Sequence, residues 1–161
     1  MEKSFKETQK FTQKWIYLIF GSIFLTSIYF VYTDYRDGFI DFNNFNTYKY
    51  SLSNFSIIIF AFLLVITSTL KTEVDAVGLR ISYFPMFVKK DVKWDEISKA
   101  TVIKYGFVGG WGVRLFTQYG IVYNVKGNKG LYVELKSGKK FLVGTQKEKE
   151  LAEVVEQYLQ E

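Results

Sequence analysis

The chain has 161 residues and a net charge of +5; it is 48% hydrophobic, and most of that material is concentrated in two segments. It contains neither cysteine nor histidine, which excludes disulfides, thiolate nucleophiles, histidine general bases and Cys/His zinc sites. Its basic residues form no clustered stripe of the kind that holds nucleic acid, so no nucleic-acid partner is expected.

Residues 1–14 read as a polar cytosolic tail carrying Lys3, Lys6, Lys10 and Lys14. From Trp15 to Thr33 no residue is charged. At the helical rise this run reaches about 28 Å, close to the hydrocarbon thickness of a bilayer. Trp15, Tyr17, Tyr29 and Tyr32 lie toward its ends, where aromatic rings favour the headgroup level. A first transmembrane helix is therefore predicted over 15–33. No small-residue cleavage site follows, so a retained anchor is expected rather than a signal peptide.

A second uncharged run lies between Lys49 and Lys71 and is densest over 57–66. It predicts a second transmembrane helix over 53–71. Neither run has the polar face of a soluble amphipathic helix. Neither contains the Asp, Glu, Lys or Arg that ion and proton pathways use. The connecting loop, 34–52, has only Arg36 and Lys49 as basic residues. By the positive-inside rule, both termini are expected in the cytoplasm and the loop outside, in a multi-pass protein of the cell (inner) membrane.

After Lys71 the pattern changes to short alternating runs broken by glycine, the sequence form of an antiparallel sheet or barrel. Strands are expected at 72–75, 79–84, 90–94, 99–105, 121–125, 131–135 and 141–143. Ile97 is expected to tuck inward at the Asp95-Glu96 corner. Lys136-Ser137-Gly138-Lys139 reads as a hairpin turn. Over 145–160, Leu151, Val154, Val155, Tyr158 and Leu159 recur at helical spacing, with Thr145 and Glu148 placed as a capping box. The stripe is expected to pack on the sheet.

Strands followed by one capped helix, the Val92-x-Trp94-x-x-Ile97 corner, Gly110-x-Gly112-x-Arg114, and Gly144-Thr145 opening the helix together resemble bacterial membrane-anchored pleckstrin-homology-like proteins. The resemblance covers residues 72–160. It implies a seven-stranded antiparallel barrel capped by the C-terminal helix, behind a membrane α-helical hairpin. The whole would be an α+β or all-β domain at 72–161 facing the cytoplasm.

No residue grouping supports catalysis or a cofactor. Asp75-Ala76-Val77-Gly78-Leu79-Arg80 is a poor phosphate cradle, and the glycines of 106–112 lack the spacing and the Lys-Ser/Thr of a nucleotide loop. Asp95 and Glu96, being adjacent, point apart. The residues expected to meet a membrane or a partner are Lys71, Lys89, Lys90, Trp111 and Arg114. The expected function is a non-catalytic interaction or scaffold module, held in the lipid bilayer and presenting its domain to a protein partner. The alternative is a module that binds anionic lipid headgroups through those basic residues.

Overall fold

The computed structural model describes residues 3–159. The chain sorts into two units: one is 12–66, and the other combines the N-terminal segment through Phe11 with everything from Thr67 onward.

The 12–66 unit is a helical hairpin, α1 (Lys14–Arg36) and α2 (Phe45–Thr67). Each helix is long and apolar enough to cross a membrane. Leu18, Leu25, Tyr29 and Phe30 of α1, and Ile57, Phe60 and Leu63 of α2, are exposed on their surfaces. Water would not tolerate such a surface around two helices. The hydroxyls within them bond back to the helix: Ser22 Oγ donates to the Ile19 carbonyl at 2.8 Å, Ser27 Oγ to Ile23 at 3.0 Å and Ser56 Oγ to Leu52 at 2.9 Å. Phe62 packs against Tyr17 and Phe20, and Phe55 against Phe24, which sets the helices antiparallel.

The second helix is displaced from its expected bounds of 53–71. It starts at Phe45, where the Asn44 side chain accepts the Asn46 amide at 3.1 Å as an N-cap, and it ends at Thr67. The turn between the helices is correspondingly shorter than the expected 34–52 loop, with Gly38 at a φ of 83° just past the end of α1.

In the other unit a strand stands where a polar tail over 1–14 is expected. Phe5–Lys10 forms β1, with Phe5, Glu7 and Gln9 facing inward. It pairs antiparallel with β2 (Thr69–Val74), the first strand after the hairpin. The order continues β1-β2-β3-β4, with β3 at Gly78–Phe84 and β4 at Val88–Lys93. A single 3-10 turn at Trp94–Glu96 leads into the second sheet, and Ile97 is buried there as expected. That sheet holds β5 (Ile97–Lys104), β6 (Gly112–Thr117), β7 (Gly120–Asn124), β8 (Lys129–Leu135) and β9 (Lys140–Gly144), in the order β5-β8-β9-β7-β6.

The expected seven-stranded antiparallel barrel is thus corrected in three respects. Nine strands are present among the described residues, β7 pairs with β9 in parallel, and the two sheets are not closed into a barrel. They share one core with α3 (Glu148–Leu159), built from Phe5, Leu70, Leu79, Val133, Phe141, Leu151 and their neighbours. The predicted apolar stripe does face this core: Leu151, Val154 and Val155 are buried, and Tyr158 stacks on Trp94 at 5.4 Å.

The capping box takes a different form. Thr145 Oγ1 accepts the Lys147 amide at 3.0 Å, but Glu148 pairs with Lys129 instead of reaching back. Its place is taken by Glu7 of β1, whose carboxylate accepts from Thr145 Oγ1 at 2.6 Å and from the Gln146 amide at 2.9 Å.

Candidate functional site

The outward face of the β1–β4 sheet is organised by register into rows. Period-two alternation puts Lys6, Thr8 and Lys10 of β1 outward while Phe5, Glu7 and Gln9 enter the core. One row aligns Lys10, Thr69 and Phe84. The next aligns Thr8, Lys71, Ser82 and Lys89, and a third aligns Lys6, Glu73, Arg80 and Asp91.

The third row is self-neutralised. Lys6 lies 3.6 Å and Arg80 3.5 Å from Glu73, and Arg80 also pairs with Asp75. Burial pushes the Asp75 carboxyl up, but the Val77 and Gly78 amides and the Arg80 guanidinium outweigh it, leaving the group below its ordinary value. The row of Lys71 and Lys89 has no such counter-charge. Within the row only hydroxyl side chains flank these lysines, and neither forms an ion pair among the described residues, while Glu73 and Asp91 of the third row line one depression together with them. Lys10, Lys71 and Lys89 of this face thus lie toward the Lys10–Phe84 end, and its acidic residues Glu73 and Asp91 away from it. A shallow polar depression lined by Thr8, Lys10, Thr69, Lys71, Ser82 and Phe84 lies at the basic end.

Lys90 does not join this face. It aligns with Ile81 on the inner side, and its Nζ sits 3.6 Å from the centre of the Phe141 ring. Burial, with the nearby charge of Lys139, pulls its pKa below that of a free lysine. Its work is packing, with the ring's π-face offsetting the cost of desolvating the ammonium.

Trp111 and Arg114 lie at the junction of the 105–111 connection with β6. Arg114 turns back onto this loop, donating to the Trp111 carbonyl at 2.5 Å. Gly110, at a φ of 109°, leaves room for the guanidinium: a Cβ there would stand 3.0 Å from it. Arg114 thus pins its own loop. Gly112 lies beside the Tyr83 hydroxyl, which is bonded to Ser68. The start of β6 is therefore at the Lys10–Phe84 end of the first sheet. Burial raises the Tyr83 pKa.

Exposed apolar residues missed from the sequence complete the surface. Phe84, Met86 and Phe87 form the tip of the β3–β4 hairpin; Phe87 is 81% exposed and has a φ of 52°. Phe107 is exposed in the 105–111 connection. In β6 the register slips between Arg114 and Thr117, and the bulge leaves Leu115 57% and Phe116 100% exposed, the latter with a φ of 58°. A bulky residue avoids this left-handed region unless something fixes it there. The signal available in the sequence was the aromatic content of two loops that have no core position to fill.

Among the described residues no cluster of acidic side chains could hold a metal ion. No family model matches the chain, and no curated protein or solved structure matches it.

Proposed function

We propose that this protein is a membrane-anchored, non-catalytic interaction module that presents its two-sheet domain to a protein partner at the cytoplasmic face. Two observations support the anchor: the apolar helix pair, and the pairing of β1 with β2, which brings both ends of that pair to neighbouring strands on one side. Lys3, Lys6, Lys10 and Lys14, before or at the start of the first helix, against Arg36 at its end and Lys49 near the start of the second, favour the cytoplasm for that side. The strand series closed by a packed C-terminal helix supports kinship with pleckstrin-homology-like modules in an opened form.

The observation that carries the partner reading is Phe116. β6 is an edge strand, hydrogen-bonded only to β7 among the described strands. Edges are normally protected by charge, brevity or cover. Here a bulge instead turns Leu115 and Phe116 outward, at the end of β6 remote from Gly112. An apolar segment of a partner, docking along this edge, would bury both side chains and satisfy the unpaired backbone.

A photo-crosslinking residue placed at Leu115 or Phe116 in the full-length protein at native abundance tests this. The expected result is one discrete adduct from these positions and none from Lys136, with the same partner copurifying in stoichiometric amount. Phe116→Asp should abolish that copurification without lowering the membrane content of the protein. Absence of an adduct along β6, or a partner retained by Phe116→Asp, would count decisively against it.

A further inference from the structure

We infer that the β3–β4 hairpin tip is a membrane-interface foot, inserting Phe84, Met86 and Phe87 among the lipid headgroups of the leaflet from which the two helices emerge. The inference rests on the proposed spanning of the helices but not on the partner docking at β6.

Connectivity decides which end of the first sheet carries the links to the two helices. Thr69 is two residues past the end of α2 at Thr67, so at most about 7 Å of chain separates them. Thr69 is aligned with Lys10 on one side, which precedes α1 by only a few residues, and with Phe84 on the other. Adjacent strands lie about 4.8 Å apart. Phe84 therefore lies at the end of the sheet from which the chain enters and returns from the helices, and Met86 and Phe87 extend the hairpin past its last paired residues.

The chemistry of the tip fits the headgroup level. Its side chains are 45%, 60% and 81% exposed for Phe84, Met86 and Phe87, and the two rings meet edge to face at 5.6 Å. Left in water, such a cluster would be a liability; aromatic rings at the interfacial level are favourable. One two-residue repeat behind Phe84, about 7 Å away, stands the row of Lys71 and Lys89, neither of them ion-paired among the described residues. Ammonium groups so placed behind the rings would be attracted to the phosphates of an anionic surface. The 105–111 connection leaves the second sheet at this same end, because Gly112 abuts Tyr83, and it carries exposed Phe107 with Trp111. Exposed rings with lysines behind them thus gather at the end of the sheet that is joined to the helices.

The chain has no cysteine, so single spin labels can be placed without background. Full-length protein carrying Phe87→Cys, Met86→Cys, Ser137→Cys or Leu25→Cys is reconstituted in phosphatidylethanolamine–phosphatidylglycerol vesicles. Collision with oxygen and with a water-soluble nickel chelate is then compared. Labels at 86 and 87 should show an oxygen-to-nickel ratio several-fold above that at 137, approaching the mid-helix label at 25. Labels at 86 and 87 as water-accessible as 137, with 25 still lipid-exposed, overturn the foot while leaving the span intact. If 25 is also aqueous, both fail.

Discussion

Glu7 lies in a strand, yet its carboxylate finishes a helix at the other end of the chain. Thr145 and Gln146 donate to it, and Glu7 is only 8% exposed. A negative charge at a helix N-terminus also meets the positive end of the helix dipole. Glu7→Ala leaves a buried hydroxyl and a backbone amide short of an acceptor, an expected cost of about 1–3 kcal/mol. Amide hydrogen exchange over the first turn of α3 should accelerate accordingly, while Glu7→Gln, which keeps an acceptor, should lose less. Exchange unchanged in Glu7→Ala would mean that water replaces the carboxylate without cost. Lys89 and Lys90 make a complementary point: neighbours in sequence, they face opposite sides of β4, one toward solvent and one onto Phe141.

At the scale of elements, β1 makes the folded domain discontinuous. It supplies Phe5, fully buried, to the shared core and covers the edge of β2. Truncating Phe5 to alanine would cost about 3–5 kcal/mol, and removing the strand would also bare a row of unpaired backbone groups. Residues 67–161 alone are therefore expected to aggregate. Residues 3–11 joined to 67–161 by a short Gly/Ser linker should give a monomer that melts cooperatively, because Lys10 and Thr69 are already partners across the ladder. Size-exclusion chromatography and circular dichroism of the two forms decide the matter; a soluble, cooperatively folded 67–161 would show β1 to be dispensable.

For the whole molecule, the same pairing constrains topology. The chain leaves the sheet at Lys10 and returns at Thr69, so an even number of crossings must separate these points. Single cysteines at Ser4 and Asn43 should label from opposite sides of sealed vesicles, with Ser137 labelling from the same side as Ser4. Labelling of positions 4 and 43 from one side would remove the spanning arrangement altogether. In the proposed reading, the Phe87 tip meets lipid and the Phe116 edge at the far end of β6 meets a partner. Both phenylalanines have left-handed backbones and protrude from the fold, so neither is explained by packing.

The sequence by itself determined the two apolar helices, the position and inward face of α3, the inward Ile97 and most strand cores, because each is a local period or an uncharged run. Residues 5–10 were not recognisable as a strand, because two of the three buried positions, Glu7 and Gln9, are polar and hide the alternation. Gly106–Gly112 hid β6, since glycines at positive φ look like loop until a partner strand fixes the register. Only the tertiary structure decided that β7 and β9 run parallel, that the sheets stay open, that Lys90 packs on Phe141 while Arg114 bonds its own loop, and that Lys71 and Lys89 share a row beside the hairpin tip. Those are outcomes of pairing between distant segments, where the free energy lies in which strands meet and not in the residues of any one of them.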